Sequence, residues 1–439
     1  MTFLEELASR RRFGIRPGLE TIRAACTALG DPQMRFKAIH VAGTNGKGAV
    51  CALLDAALRE RGLRVGRYTS PHLVRLNERF FLEGVPVDDA ILDRLADRVR
   101  LASFSPFRDS QPSTLNPQLS TPISELTFFE ALTAVAYLLY AEAGVDHAVL
   151  ECGLGGRLDA TNVCNPELCV ITKVGLDHCD WLGDTVEKIA AEKAGIVKPG
   201  VPVVLGRNEP SVRAVVETRA KEVCAPFFYV PDLATADEIP ENIPLGGTFN
   251  RENAVTALAA LKVLVQDVLH GEFDAWREFV LRGMGKVVWP GRFQRVGDFI
   301  VDGAHNPPAA RALRESLERL APSGTALRLN LIAGFCGDKD VDQVLSILAP
   351  VVGKGYAVRT NNPRSLSAEA TAAKMRSAGM DAVACDSLAD AIRKVSSPML
   401  HPSSLVCGSL FLAGEALVEL GAYPWLTDRF DPSESLRDL

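Results

Sequence analysis

Residues 39–49 constrain the fold of this chain more than any other segment, because an apolar strand pattern leads into a glycine-rich turn and then into a helical pattern. The residues are Ile-His-Val-Ala-Gly-Thr-Asn-Gly-Lys-Gly-Ala. Glycines let backbone N–H groups converge on anionic oxygens, the helix directs its positive dipole end to the same point, and Lys47 adds a full charge. The segment predicts a phosphate-binding loop with a nucleoside triphosphate as its ligand.

The match to the common phosphate loop G-x-x-x-x-G-K-[ST] is imperfect. Lys47 lies between Gly46 and Gly48, and Ala49 stands where a hydroxyl group would help to hold Mg²⁺. Taken alone, a glycine-rich turn of this kind is more often structural than nucleotide-binding. The polar residues that follow the other predicted strands therefore decide between these two interpretations.

The length and charge of the chain limit its architecture and its partners. A chain of 439 residues exceeds what one hydrophobic core usually supports, so we expect two or more domains. The formal net charge of -6 argues against a nucleic-acid-binding protein, which normally has a basic surface. Anionic ligands must then be met by local clusters of cations.

The N-terminal residues and the cysteines indicate a compartment. The N-terminus is charged and no apolar run reaches the length of about 18 residues that a membrane helix needs, so we expect a cytoplasmic protein without membrane contact. The ten cysteines are scattered without a C-x-x-C pair. This pattern is typical of reduced thiols rather than of disulfides or a zinc site.

Apolar strand patterns alternate with helical patterns in the first two thirds of the chain. The predicted strands lie near 38–42, 64–69, 145–152, 168–173 and 201–205. The predicted helices lie near 47–61, 126–143, 185–197 and 210–223. This βαβ order predicts an α/β fold with a mostly parallel sheet covered by helices on both faces. Ligands of such sheets gather at the carboxyl ends of the strands.

A second alternation begins after Trp289-Pro290-Gly291-Arg292. Its predicted strands lie near 299–302, 328–334, 355–358 and 405–407, and its predicted helices near 308–320, 341–348, 368–378 and 409–420. We therefore predict a domain with the phosphate loop over residues 1–292 and a smaller Rossmann-like α/β domain over residues 293–439. A cleft between them is a favoured place for chemistry.

A segment at about 103–124 interrupts the first alternation. It is rich in Pro, Ser, Thr and Gln, which cannot bury a core, so it is predicted to be a mobile insertion. A lid or substrate loop is the functional alternative, but the composition by itself favours a plain insertion.

Polar residues follow three other predicted strands, where a phosphate loop alone would leave a metal ion uncoordinated. Ser70, Glu151 and His178 have simpler interpretations as a helix cap, a surface carboxylate and a loop histidine. Their occurrence at successive carboxyl ends is what a metal site requires. Hydroxyl, carboxylate and imidazole groups can hold Mg²⁺ that bridges phosphates. Lys193 lies on a predicted helix near this cluster, where its simpler interpretation is a solvated surface charge.

In combination, these motifs resemble the folylpolyglutamate synthase and dihydrofolate synthase family, within the ATP-dependent Mur-type amide ligases. The resemblance spans nearly the whole chain. In the first part it is carried by His-Val-Ala-Gly-Thr-Asn-Gly-Lys-Gly at 40–48, Ser-Pro-His-Leu at 70–73, Leu-Thr-Phe-Phe-Glu at 126–130, Glu-Cys-Gly-Leu-Gly-Gly-Arg-Leu-Asp-Ala-Thr-Asn at 151–162, Asp-His at 177–178 and Glu-Lys-Ala-Gly-Ile at 192–196. Later it is carried by Pro-Gly-Arg-Phe-Gln at 290–294, Asp-Gly-Ala-His-Asn-Pro at 302–307 and Gly-Ser-Leu-Phe-Leu-Ala-Gly-Glu at 408–415.

The resemblance implies a nucleotide site with two metal ions. The residues implied to enclose the ATP phosphates are Thr44, Asn45, Gly46, Lys47 and Gly48. The residues implied to contact the rest of the nucleotide are Asn253 at the adenine, Arg292 at the phosphates, and Asp302 and His305 from the second domain. Ser70, Glu151 and His178 would hold magnesium, and Lys193 matches a carbamylated lysine that helps to bind a second ion. Lys47, His178 and Lys193 are the implied catalytic residues.

The resemblance also implies a pterin-side substrate pocket. The matching residues are Thr127, Phe128, Phe129, Glu130, Leu158, Asp159 and Ala160, with Ile15, Arg16 and Pro17 as a weaker match. The 103–124 insertion lies just before this pocket in sequence, so the shape of the pocket mouth is left open.

The implied reaction activates a substrate carboxylate with ATP to give an acyl phosphate, which the amino group of L-glutamate then attacks. Mg²⁺ and Lys47 would offset the charge on the transferring phosphoryl group. Closure of the second domain would exclude water, with Pro290-Gly291 as the hinge. The expected substrates are dihydropteroate or a reduced folate with L-glutamate, and a monomer is expected.

Two other functions stay open at this point. A peptidoglycan-type Mur ligase would share the ATP site, but Leu-Gly-Gly-Arg-Leu-Asp-Ala-Thr-Asn and Thr-Phe-Phe-Glu are folate-type. A nucleotide-gated binding protein without amide chemistry would not need a second metal site. Within the family, the full pterin-pocket pattern favours a bifunctional enzyme, although motif identity does not separate the two activities.

Overall fold

A computed structural model describes residues 18–104, 126–321, 327–395 and 404–425 of the chain. Within these ranges the strands form an eight-stranded sheet over residues 37–229 and a six-stranded sheet over residues 294–407. Parallel pairs dominate both sheets. The predicted α/β fold class is therefore confirmed.

The first sheet brings the strand that leads into the phosphate loop to its centre. Its strands are β1 (Lys37–Ala42), β2 (Val65–Tyr68), β3 (Phe80–Leu82), β4 (Val85–Pro86), β5 (His147–Glu151), β6 (Pro166–Ile171), β7 (Val203–Leu205) and β8 (Phe227–Tyr229). Their order is β4-β3-β2-β5-β1-β6-β7-β8. Because β1 lies between β5 and β6, the loops after these strands meet at one edge of the sheet.

Helices cover the first sheet and connect its strands. They are α1 (Glu20–Ala28), α2 (Lys47–Glu60), α3 (Asp89–Phe104), α4 (Phe128–Ala143), α5 (Cys179–Leu182), α6 (Val186–Ala194), α7 (Pro210–Glu222), α8 (Thr248–Val263) and α9 (Asp274–Met284). Helix α2 is buried along most of its length, and it packs between the sheet and helices α8 and α9. The phosphate loop therefore leads into a helix that the core holds rigidly.

The second sheet belongs to the last third of the chain. Its strands are β9 (Gln294–Val296), β10 (Phe299–Val301), β11 (Leu329–Ala333), β12 (Val352–Ala357), β13 (Asp381–Ala384) and β14 (Ser404–Cys407), in the order β13-β12-β11-β14-β10-β9. The accompanying helices are α10 (Pro307–Glu318), α11 (Val341–Leu348), α12 (Ala368–Ser377), α13 (Leu388–Val395) and α14 (Leu410–Glu419).

The helices and strands predicted from periodicity are present, with bounds that agree within three residues. The antiparallel edges were not predicted: β3 and β4 on the first sheet, and β9 on the second. These strands have only two or three residues, so they are too short to show an alternating pattern. Helices α8 and α9 lie between the two alternations, in a stretch where no element was predicted.

Two of the predicted segments lie mostly or entirely outside the described residues. The predicted insertion at 103–124 lies outside the described residues except for its first two positions, and these belong to α3 rather than to a loop. Ile15, Arg16 and Pro17 also lie outside the described residues. Within the described ranges, the structure contains no helix of the length and apolarity that a bilayer span requires.

Candidate active site

A cleft of about 600 Å³ is lined by both halves of the chain. The first half contributes the phosphate loop and the residues that follow β2, β5 and β6, and the second half contributes residues around 302–315. All the predicted nucleotide and metal residues line this cleft. They are Thr44, Asn45, Gly46, Lys47, Gly48, Ser70, Glu151, His178, Lys193, Asn253, Arg292, Asp302 and His305.

The phosphate loop is held in shape by the segment after β6. The N–H groups of Thr44 and Asn45 both donate to the carbonyl oxygen of Lys173, at 2.8 and 3.2 Å. The Thr44 hydroxyl donates to the Gly175 carbonyl at 3.0 Å and accepts from the Gly175 N–H at 3.1 Å. Because this hydroxyl is engaged within the protein, the N–H groups at the start of α2 are the donors left for an anion.

Two glycines of the loop have no room for a side chain. Gly46 has a φ of 88°, and a Cβ there would lie 2.2 Å from Oδ1 of Asn253. A Cβ at Gly48 would lie 2.2 Å from the Trp289 ring. The loop thus packs directly against α8 and against the segment that joins the two sheets. Asn253, predicted at the adenine, lies here beside the loop itself.

Lys47 and Glu151 face each other in the cleft. Lys47 Nζ lies 3.9 Å from Glu151 Oε1 and donates to the Thr44 carbonyl at 3.2 Å. Glu151 Oε2 accepts from the Ser70 N–H at 3.0 Å. Burial raises the pKa of Glu151, and the nearby charge of Lys47 opposes this rise. The structure therefore brings together one cation, one carboxylate and one hydroxyl-bearing residue from three different strand ends.

Asp177 and His178 line the cleft at the end of β6 and meet the second half of the chain. The Asp177 carboxylate accepts from Asn306 Nδ2 at 2.9 Å, and Lys339 Nζ lies 3.9 Å away from it. His178 adopts a left-handed conformation with a φ of 52°. Burial lowers the pKa of His178; the adjacent Asp177 carboxylate opposes this shift, and the cations Lys339, Lys47 and Lys193 add to it. A neutral imidazole is the form that can ligate a metal ion.

Lys193 is buried in the last turn of α6, with an exposed fraction of 3%. The simpler interpretation of this residue as a solvated surface charge is wrong. Burial lowers the pKa of Lys193 to about 7, and the charge of Lys47 contributes to this shift. A lysine in this environment can lose its proton near neutral pH and react as an amine.

Arg292, at the end of the first domain, and Asp302 and His305 of the second half also line the cleft. The Asp302 carboxylate accepts from the N–H groups of Phe293 and Ala304, at 2.8 and 2.7 Å, so it also holds the turn after β10. His305 Nδ1 donates to the Gly303 carbonyl at 2.8 Å, which leaves Nε2 as its other polar atom. Burial lowers the pKa of His305, so the ring is neutral at pH 7.

Among the described residues, the predicted pterin-side positions 127–130 and 158–160 do not line this cleft. Thr127 and Glu130 cap α4 reciprocally: the Thr127 N–H donates to Glu130 Oε2 at 2.8 Å, and the Glu130 N–H donates to the Thr127 hydroxyl at 3.2 Å. The Phe129 ring lies next to Gly153, where a Cβ would come within 2.6 Å of it. Gly153 lines the cleft, so Phe129 packs against the protein side of the cleft wall.

Asp159 shapes the loop after β5. Its carboxylate accepts from the Leu154 N–H at 2.8 Å and from the Thr161 N–H at 3.0 Å. Asp159 and Ala160 are buried, and Leu158 is half-buried. Of this loop, Leu154 lines the cleft, so Asp159 acts on the cleft through the loop that it holds.

The donor atoms of the cleft suit a hard divalent cation. Within the described residues, no group of three or more His, Cys, Asp and Glu side chains converges on a metal-binding point. Glu151 and His178 are the members of these residue types in the predicted set. A hydroxyl, phosphate oxygens and water would complete the coordination sphere, which is the kind that Mg²⁺ prefers.

Several cleft residues were missed by the sequence reasoning. Asp177 and Asn306 meet across the cleft, with Lys339 of the second half 3.9 Å from Asp177 behind them, and Trp289 packs on the phosphate loop. Asp177 and Asn306 belong to motifs that were visible in the sequence, next to His178 and His305. Their contact joins positions 129 residues apart, so no local pattern could have indicated it.

Comparisons with known proteins identify the family. One family model, the Mur ligase middle domain, matches residues 109–229, and another, the Mur ligase glutamate ligase domain, matches residues 291–409. A dihydrofolate synthase/folylpolyglutamate synthase of Bacillus subtilis is 33% identical over 381 residues, which cover 81% of this chain and 84% of that protein.

Solved structures agree with this match. Mycobacterium tuberculosis folylpolyglutamate synthase complexed with ADP has a TM-score of 0.82 and 30% identity, and covers 96% of this chain and 99% of its own. A bifunctional folylpolyglutamate synthase/dihydrofolate synthase with Mn, AMPPNP and L-glutamate bound has a TM-score of 0.77 and 28% identity, and covers 96% and 98%. The resemblance seen in the sequence is confirmed: the chain belongs to the folylpolyglutamate synthase and dihydrofolate synthase family of Mur-type ligases.

Proposed function

We propose that this chain is an ATP-dependent ligase that joins L-glutamate to dihydropteroate, to the glutamate tail of reduced folates, or to both. The observation that carries the proposal is one cleft, lined by both halves of the chain, that combines a phosphate loop with Lys47, Glu151 and the buried Lys193. The names of the relatives support a pterin or folate compound as the substrate to which glutamate is joined. The bound ADP, AMPPNP, Mn and L-glutamate of the solved structures support the other reactants.

In this proposal the nucleotide lies with its phosphates on residues 44–48. The first N–H groups of α2 would bind phosphate oxygens and Lys47 would supply the charge. Asn253 would contact the adenine and Arg292 the phosphates, and Asp302 and His305 would reach the nucleotide from the second half. A cleft of about 600 Å³ is within the usual size for a ligand of this kind.

Magnesium fits the cleft in this proposal through Ser70, Glu151 and His178, with Lys193 as a carbamate at a second ion. Such ions would neutralise charge on the nucleotide phosphates. The fit rests on the chemistry of the donors: the buried Glu151 carboxylate lies 3.9 Å from the Lys47 ammonium, and the lowered pKa of His178 keeps its imidazole neutral. The carbamate would convert the neutral Lys193 amine into an oxygen ligand.

The chemical steps follow from these placements. A carboxylate oxygen of the acceptor attacks the γ-phosphorus of ATP, the bond to the ADP oxygen breaks, and an acyl phosphate forms. The amino group of L-glutamate then attacks the acyl carbon, phosphate leaves, and the amine proton is lost to solvent or base. Lys47 stabilises the phosphoryl charge, and the Asp177–Asn306 contact holds the two halves together so that water is excluded.

The pterin-side pocket is proposed at the N-terminus of α4 and the loop after β5. Because Thr127 and Glu130 satisfy each other, Phe128, Phe129 and Leu158 are the members of this set whose side chains offer apolar area to a pteridine ring. We place the boundary between the two domains at residues 292 and 293. The monomeric state and the cytoplasmic location stay predictions.

The acceptor specificity decides the proposed function. ADP release should require L-glutamate and be supported by dihydropteroate, by a reduced folate, or by both. UDP-linked muramyl substrates should give no release. Activity on the muramyl substrate alone would replace the proposal with a peptidoglycan-type ligase, and nucleotide binding without turnover on any acceptor would indicate a nucleotide-gated binding protein.

Glu151→Gln and His178→Ala are each expected to raise the magnesium concentration needed for half-maximal ADP release by about tenfold or more. Each substitution removes one ligand from a site that already has Ala49 in place of a hydroxyl residue. Magnesium titrations at saturating ATP measure this effect. The matched variants Glu241→Gln and His270→Ala change exposed residues and should keep the original midpoint. An unshifted midpoint in Glu151→Gln or His178→Ala would show that the residue concerned is not a ligand.

A further inference from the structure

We propose that Glu78 and Tyr423 are positioning residues that fix the loop carrying Ser70 to the C-terminal half of the chain. We call this pair the loop tether. The proposal rests on the proposed function in one respect, namely that Ser70 is a magnesium ligand. The contacts that form the tether are independent of that assignment.

Glu78 gathers the backbone of the loop that follows β2. Its Oε2 accepts from the Leu73 N–H at 2.7 Å, and its Oε1 accepts from the N–H groups of Val74 and Arg75, at 2.7 and 2.6 Å. Glu78 is buried, with an exposed fraction of 6%. Three successive amides on one buried carboxylate give the 73–75 loop a single conformation, because each amide would otherwise lose its partner.

The fourth donor to this carboxylate comes from the other half of the chain. The Tyr423 hydroxyl donates to Glu78 Oε1 at 2.5 Å, across 345 positions of sequence. Tyr423 is 4% exposed, and burial next to Glu78 raises the pKa of its hydroxyl, so the group stays protonated and remains a donor. Tyr423 packs edge-on against Trp425, which packs edge-on against Phe81 of β3.

The tethered loop is continuous with the cleft. Ser70 donates its N–H to Glu151 Oε2 at 3.0 Å, three residues before Leu73. On the other side, the Leu73 side chain lies next to Gly291 of the interdomain segment, and the Leu73 carbonyl packs on Gly414 of α14. The segment 70–75 is therefore held at one end by a cleft carboxylate and at the other by the C-terminal half.

This arrangement gives the C-terminal half a direct mechanical connection to the position of Ser70. A movement of α14 and Tyr423 would pull on the carboxylate that orders residues 73–75 and so would displace Ser70 relative to Glu151. Neither Glu78 nor Tyr423 lines the cleft, so the pair would act on the reaction only through this loop.

Tyr423→Phe tests the tether, because it removes the donor and keeps the ring packing. In the full-length protein, amide hydrogen exchange of residues 73–75 should become about tenfold faster. The magnesium midpoint for ADP release should rise severalfold, while kcat at saturating magnesium stays near the wild-type value. Glu78→Gln should give a larger change of the same kind. Tyr229→Phe removes a tyrosine hydroxyl that donates to the Asn208 carbonyl elsewhere, and it should change neither quantity.

Unchanged exchange at residues 73–75 in Tyr423→Phe would overturn the tether, and so would faster exchange with an unmoved magnesium midpoint. Ser70→Ala, titrated in parallel, separates this from a failure of the proposed function. If Ser70→Ala leaves the midpoint in place, the assignment of Ser70 as a ligand is wrong, and the exchange rates alone decide for or against the tether.

Discussion

Lys47→Ala is expected to lower the rate of ADP formation by at least about 10²-fold while the protein stays folded. Lys47 is the cation of the phosphate loop, and its Nζ lies in the cleft 3.9 Å from Glu151. In the proposed function, its loss would remove the charge that stabilises the transferring phosphoryl group. The side chain is outside the hydrophobic core and 16% exposed, so the thermal midpoint should change by only about 2 °C.

The measurement is coupled ADP release with saturating acceptor and L-glutamate, together with a thermal unfolding curve. Lys221→Ala is the matched control, because Lys221 is 76% exposed and far along the sequence from the loop. It should keep wild-type activity. Wild-type turnover by a folded Lys47→Ala protein would contradict the proposal that residues 44–48 bind the phosphates.

Lys193→Ala is expected to be nearly inactive, and a short-chain carboxylic acid should partly restore its activity. The Lys193 nitrogen is buried and its pKa is lowered to about 7. In the proposed function, the neutral amine would attack the carbon of CO₂ and lose a proton, which would give an anionic carbamate with oxygen atoms suited to a metal ion. An added carboxylate can occupy the space of the missing group and supply similar oxygens.

The same pKa fixes the direction of a pH effect. Below about pH 7 the ammonium form of Lys193 dominates, and an ammonium cannot form a carbamate. Carbamate occupancy and activity should therefore fall as the pH is lowered through this value, and added bicarbonate should oppose the fall. Above this value the lysine that carries no carbamate is mostly the uncharged amine, which is the form that reacts with CO₂.

A ¹³C NMR spectrum of the enzyme equilibrated with ¹³C-bicarbonate measures the carbamate directly. One carbamate resonance should be present in the wild type and in the control Lys188→Ala, whose lysine is 62% exposed on the same helix. The resonance should be missing in Lys193→Ala. Wild-type activity in Lys193→Ala, with no carbamate signal in the wild type, would refute the carbamate and leave Lys193 as an unmodified buried amine.

Local sequence patterns predicted those helices and strands whose structure is determined by residues close together in the chain. The strand, glycine turn and helix at 37–60 were predicted because apolar periodicity and glycine placement act over a few residues. The edge strands β3, β4 and β9 were not, because strands of two or three residues take their structure from the neighbour with which they pair.

Some features of the candidate site could likewise be predicted from the sequence, and others could not. Ser70, Glu151 and His178 could be grouped from the sequence because parallel strands bring their carboxyl ends to one edge of a sheet. The burial of Lys193 could not, since Glu-Lys-Ala-Gly-Ile on a helix is equally compatible with a solvated face. Burial depends on what packs over a helix, and here Cys152 and the loop after β5 pack against that face.

By itself the sequence determined the α/β class, the phosphate loop, the two alternations and, through its motifs, the family. These depend on periodicity and on residue types at short spacing. Only the tertiary structure decided that Lys193 is buried, that Glu78 meets Tyr423 and that Asp177 meets Asn306. Each of these depends on packing between distant segments, and hydrogen bonds and desolvation arise only where such segments actually meet.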